Sequence, residues 1–99
     1  MIMIKLNHNK TVYTVEGEFA MIDVGETKTE EIALENTSQH KFVMNKIYLD
    51  GLQYSRIMNP PSVIDPKSTW ILKVLTDVPM DANEPNRGKV AFDGYYIMV

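Results

Sequence analysis

Short runs of β-branched and aromatic residues, each halted after a few positions by a turn signal, recur from residue 19 to the end of this chain. That rhythm rules out most folds. The runs occupy residues 19–25, 31–36, 42–49, 69–75, 88–92 and 95–99. Between them stand Thr37-Ser38-Gln39-His40, Asp50-Gly51, Asn59-Pro60-Pro61 and Asp65-Pro66, which turn a chain or withhold ladder hydrogen bonds. A further short run, residues 54–58, stops at the paired prolines and is expected at a strand end or an exposed edge. Strands this short and this evenly spaced build two antiparallel sheets packed face to face. No heptad pattern, amphipathic helix, low-complexity tract or internal repeat competes with that reading. The expected class is all-β.

Alternation assigns the faces. Glu30, Ile32, Leu34 and Asn36 share one side of their strand, and Ile32 and Leu34 are the expected buried pair. The opposite side, Thr29, Glu31, Ala33 and Glu35, is largely carboxylate. In the next strand a strict period of two puts Val43, Ile47 and Leu49 on one side and Phe42, Met44 and Tyr48 on the other. Apolar groups on both sides predict a central strand or a covered outer face. Trp70, Leu72 and Val74 alternate with Ile71, Lys73 and Leu75, and Trp70 is the expected central core aromatic. Gly94, between two strand-like pieces, predicts a bulge or tight turn.

At the N-terminus Ile2, Ile4 and Leu6 alternate with Met3 and Lys5, a polar turn follows at residues 7–10, and residues 11–15 are β-branched and aromatic. This reads as a β-hairpin with a four-residue loop. Glu16-Gly17-Glu18 then breaks the pattern. The expected organisation is one domain over residues 1–99, with a hairpin or arm at 1–15 and the sandwich at 19–99.

The 99 residues suit one such domain, and a chain of this length buries roughly 65% of its unfolded surface, enough for a core without staples. There is no cysteine, so neither disulfides nor thiolate metal sites can form. Net charge is −3 and the basic residues stand singly, which argues against a nucleic-acid surface. The start of the chain lacks the basic and long apolar regions of a secretory leader, and no run approaches the ~18 apolar residues of a membrane helix. The expected location is cytoplasmic at synthesis.

Phe19, Asp23-Val24-Gly25, Ile32 and Leu34 followed by Asn36, Ile64-Asp65-Pro66, the strand at Trp70 to Val74, Pro79 and Gly88 together form a pattern that resembles the immunoglobulin-like domains of the major sperm protein and ASPM/SPD-2/Hydin group. The resemblance covers about 80 residues. It implies a seven-stranded immunoglobulin-like sandwich acting as an interaction or assembly module, without cofactor or catalysis. It also implies turn-forming roles for Gly25, Asn36, Pro66 and Gly88, and core roles for Ile32, Leu34, Trp70 and Val74. The basic, phosphate-recognising surface of some members of that group is not evident here, and the segment 1–15 lies outside the pattern.

Chemistry-bearing clusters are sparse. Asp77, Asp81, Asn83, Glu84 and Asn86 crowd one loop, but they lack the spacing and glycine of a calcium loop, so a solvated acidic loop is the expected reading. His8 and His40 stand alone in separate turns, without a partner ligand. Ser38, Ser55, Ser62 and Ser68 have no nucleophile-elbow glycines around them. Glu30, Glu31 and Glu35 read as a solvated strand face.

Two features point to contact with other proteins. One is the apolar N-terminal pair of strands (Ile2, Ile4, Leu6 and Tyr13); the other is the apolar end of the chain (Tyr95, Tyr96 and Met98). The expected function is therefore non-enzymatic: a small structural subunit of a larger assembly, in concrete form a phage or virus particle accessory protein such as a capsid decoration or tail or baseplate component. Its expected partners are other protein subunits, this chain included, with no cofactor, nucleic acid, membrane or small-molecule substrate. The alternative is a cytosolic sperm-protein-type adaptor holding a peptide across a sheet.

Overall fold

The computed structural model describes residues 2–7, 10, 12–16, 24–83 and 88–98. Eight strands lie within them: β1 (Ile2–Lys5), β2 (Val12–Glu16), β3 (Thr27–Asn36), β4 (Phe42–Asp50), β5 (Ser55–Ile57), β6 (Val63–Ile64), β7 (Ser68–Asp77) and β8 (Lys89–Tyr96). They form two four-stranded sheets, ordered β1-β3-β7-β5 and β2-β8-β4-β6. The all-β two-sheet sandwich expected from the strand rhythm is the fold. Most of the run at 19–25 lies outside the described residues, and Gly25 takes a left-handed turn at its end, φ 78°.

The two sheets close on each other through residues of one parity. Ile32, Leu34, Leu72 and Val74 come from one sheet and Phe42, Val90 and Phe92 from the other, all fully buried. Ile32 faces Leu72 and Leu34 faces Trp70 across the β3–β7 ladder, so the expected buried pair sits where the alternation put it. The aromatic centre is a different set from the one expected. Tyr13 stacks on Phe92 at 4.8 Å and meets Phe42 edge-on at 6.3 Å, while Tyr96 meets Phe42 edge-on at 5.3 Å. Trp70 is only half-buried at the rim of this cluster. Its indole N–H must find an acceptor, and the Asn59 carbonyl near the paired prolines supplies one at 3.0 Å.

The N-terminal hairpin does not form. β1 pairs parallel with β3, Ile2 beside Ile32 and Ile4 beside Leu34, whereas β2 pairs antiparallel with β8, Tyr13 beside Phe92 and Val15 beside Val90. The two strands thus extend different sheets. Paired with each other, they would have offered one apolar face to one sheet and left the other sheet short. Separated, Ile2, Ile4 and Leu6 enter the interior from one side and Tyr13 and Val15 from the other. The connection is pinned where it crosses between sheets. The Tyr13 hydroxyl accepts from the Asn7 N–H at 2.6 Å and donates to the Asn7 carbonyl at 3.0 Å.

β4 departs from simple alternation. Its pairing with β8 slips between Met44, opposite Gly94, and Lys46, opposite Asp93, which makes Asn45 the extra residue of a bulge. Beyond it the faces exchange: Ile47 and Leu49 join Phe42 and Met44 against the core, and Tyr48 turns outward. Gly94 is the cause on the partner strand. The Phe42 ring and the Val43 carbonyl occupy the space that any Cβ there would need. Asn45 Nδ2 donates to Asp93 Oδ1 at 2.9 Å across the bulge. The two strand-like pieces around Gly94 form one continuous strand, β8.

Candidate interaction surface

Residues opposed in a ladder share a face, so the registers give both outer surfaces of the sandwich. On the β1-β3-β7-β5 sheet, Lys5 lies beside Glu35 and Glu31 beside Lys73, flanking a row of Met3, Ala33 and Ile71. Opposite charges thus border the apolar row on both sides. On the β2-β8-β4-β6 sheet, Val63, Val43 and Tyr95 form a row across three strands. A second row runs Tyr48, Ala91, Thr14, and between them lies Lys46, Asp93, Val12. Tyr95 and Val12 are each 52% exposed, Tyr48 42% and Val63 39%. The Lys46 ammonium sits over the Tyr48 ring, 5.0 Å from its centre. Ile97 and Met98 continue the exposed apolar surface beyond β8, held by the Ile97 N–H donating to the Lys41 carbonyl.

This face carries two tyrosines and three valines, crossed by the row with Lys46 and Asp93 and bordered by a second charged row in which Lys89 lies opposite Asp50 and Glu16. Sequence reading missed most of it. Val43 was expected to share a face with Ile47 and Leu49, and the bulge that separates them has no strong local signature. Gly94 was its one visible trace.

The sequence-expected contact residues fall into two groups. Leu6 and Tyr13 are buried in this chain's own core, and Ile2, Ile4 and Tyr96 are half-buried against it. Tyr95 and Met98 are exposed. Burial pushes both tyrosine hydroxyls, Tyr13 and Tyr96, above their ordinary range; a hydrogen bond from Asn7 opposes this at Tyr13 and one from Ser38 at Tyr96.

The polar residues singled out from the sequence serve the scaffold. Asn36 is 1% exposed and its Nδ2 reaches the carbonyls of His40, Ile64 and Asp65 at 2.9 to 3.1 Å. Its Oδ1 accepts from the N–H and hydroxyl of Ser38. One side chain therefore ties the end of β3 to the following turn and to β6. Ser55 Oγ lies 2.6 Å from Thr76 Oγ1, and Ser68 Oγ donates to the Asp65 carbonyl. Asp77 accepts from Thr27. Glu84, Asn86 and His8 lie outside the described residues; among those described, no three His, Asp or Glu side chains gather as a metal site would require. A surface hollow of about 520 Å³ beside β5 is lined by Gln53, Tyr54, Ser55, Arg56, Leu75, Asp77 and Pro79.

Fold and surface together define a two-sheet β-sandwich that presents one aromatic-rich sheet face. No family model matches the chain, and neither a curated protein nor a solved structure matches it.

Proposed function

We propose that this chain is a non-enzymatic, immunoglobulin-like structural subunit that joins a larger assembly through the outer face of the β2-β8-β4-β6 sheet. The observation that carries the reading is the row Val63, Val43, Tyr95 across three strands, with Val63 and Tyr95 exposed at its ends, Val43 half-buried between them, and Tyr48 and Val12 exposed on the same face. Contact surfaces are enriched in tyrosine, and this face carries Tyr48 and Tyr95 among its valines, while Lys5, Glu35, Glu31 and Lys73 border the apolar row of the opposite sheet. The concrete form remains a particle accessory subunit, such as a decoration, tail or baseplate component. It rests on the sandwich architecture and on the sequence reading.

Val63→Asp together with Tyr95→Asp tests the proposal, because both side chains are already exposed and the fold should survive. Light scattering after size exclusion across a concentration series should give the wild type a mass above 11.3 kDa. The double variant should remain monomeric with an unchanged circular dichroism spectrum. A wild-type monomer at every concentration would remove self-assembly and favour an adaptor that takes a peptide across a sheet.

A further inference from the structure

Beyond that face, we propose that β1 and β2 form an exchangeable arm through which two copies of this chain join, each seating its arm in the other's sandwich. The arm is a unit by connection: ten positions, 17–26, join the end of β2 to the start of β3. It is also a unit by pairing. Among the described residues β1 has one ladder partner, β3, and β2 has one, β8, and the Asn7–Tyr13 hydrogen bonds tie the end of β1 to β2.

Without the arm there remain two three-stranded sheets, β3-β7-β5 and β8-β4-β6, which already meet the minimum for an independently stable sheet pair. They would, however, expose Ile32, Leu34, Val90 and Phe92 along the vacated flank. Leu6, Tyr13 and Val15 fill that flank as buried side chains, with Ile2 and Ile4 partly buried beside them. The slot must therefore hold an arm, and any copy's arm satisfies it.

Three physical features favour exchange. An arm seated in a neighbour makes the same contacts as at home, so the preference is decided by chain connection and concentration. Ten residues reach at most about 33–36 Å when extended. That exceeds the 18 Å width of the body, so a neighbour lying alongside is within reach. The hold of β1 is modest: four parallel-paired residues, the weaker type of ladder.

The absence of cysteine gives a clean test. Lys5 and Glu35 are opposed on the sheet that does not carry the proposed contact face. Adjacent strands lie about 4.8 Å apart, within disulfide reach. Lys5→Cys and Glu35→Cys are made in separate chains, mixed, unfolded and refolded together at rising concentration, then oxidised. The expected result is a mixed covalent dimer several-fold more abundant than the dimers either variant forms alone, increasing with refolding concentration. Mixed dimers no more abundant than like-with-like dimers at every concentration would overturn the proposal. If either variant misfolds, Thr14→Cys and Ala91→Cys give a second opposed pair across β2 and β8. Repeating the mixture in the Val63→Asp, Tyr95→Asp background separates the two ideas, since arm exchange survives there and face-mediated association does not.

Discussion

At Asn36 five hydrogen bonds converge on one buried amide, and its value lies in leaving no strand-end group without a partner. Asn36→Ala removes a donor from the carbonyls of His40, Ile64 and Asp65 and the acceptor of the Ser38 N–H, a loss of about 2–4 kcal/mol measurable by urea unfolding. Asn36→Asp should be worse at neutral pH, because a carboxylate would face carbonyl oxygens in a buried site. Acidification should restore part of that loss as the introduced acid takes up a proton. Equal stability of the two variants from pH 4 to 8 would contradict this account. Tyr13 gives a second test. Its hydroxyl pKa is raised by burial, so its stabilising contribution is complete below the unfolded value near 10 and is lost as pH climbs through the raised folded value. Tyr13→Phe keeps the stack on Phe92 but loses both Asn7 bonds, at about 1–2 kcal/mol near neutral pH. Thermal melts from pH 8 to 11 should show the gap between wild type and variant narrowing above pH 10, with Tyr96 still sensitive in both.

Among the elements, β4 shows how one inserted residue redirects a surface. The bulge at Asn45 keeps Phe42, Met44, Ile47 and Leu49 on the core side although their spacing in sequence breaks the period of two. Deleting Asn45 should give a regular strand with the same residues inward. It should lose only the Asn45–Asp93 bond and the local twist, about 1 kcal/mol and therefore roughly 4–8 °C in melting temperature. Deleting Ile47 instead should reverse Tyr48 and Leu49 and abolish cooperative unfolding. If the two deletions melted alike, the bulge assignment would be wrong. The strand rhythm, the turns at Gly25 and Gly51 and the buried pair Ile32 and Leu34 were legible because period and turn chemistry are properties of neighbouring residues. The faces beyond Asn45 were not legible, because a bulge is defined by the partner strand, here by the absence of a side chain at Gly94 under the Phe42 ring.

At the scale of the molecule, the body measures 51 × 18 × 18 Å, so nearly every strand residue faces either the single interior or one of two outer sheets. Where the tyrosines and valines gather on an outer sheet follows from pairings distant in the chain: Tyr95 of β8 reaches Val43 of β4, which in turn reaches Val63 of β6. The candidate contact face was therefore only partly visible beforehand, through Tyr95 and Met98. The N-terminal residues read as contact groups turned out to be core or core-flanking, because open edges on β3 and β8 offered their apolar side chains a drier place than solvent. By itself the sequence determined an all-β two-sheet sandwich, its turns and its principal buried pair, since alternation and turn residues act over a few positions. Only the tertiary structure decided that β1 and β2 would part to different sheets, that the bulge would turn Tyr48 outward, and that Phe42, Phe92 and Tyr13 would displace Trp70 from the centre. Those outcomes depend on which edges and spaces remain once the other strands have paired, and no local pattern carries that information.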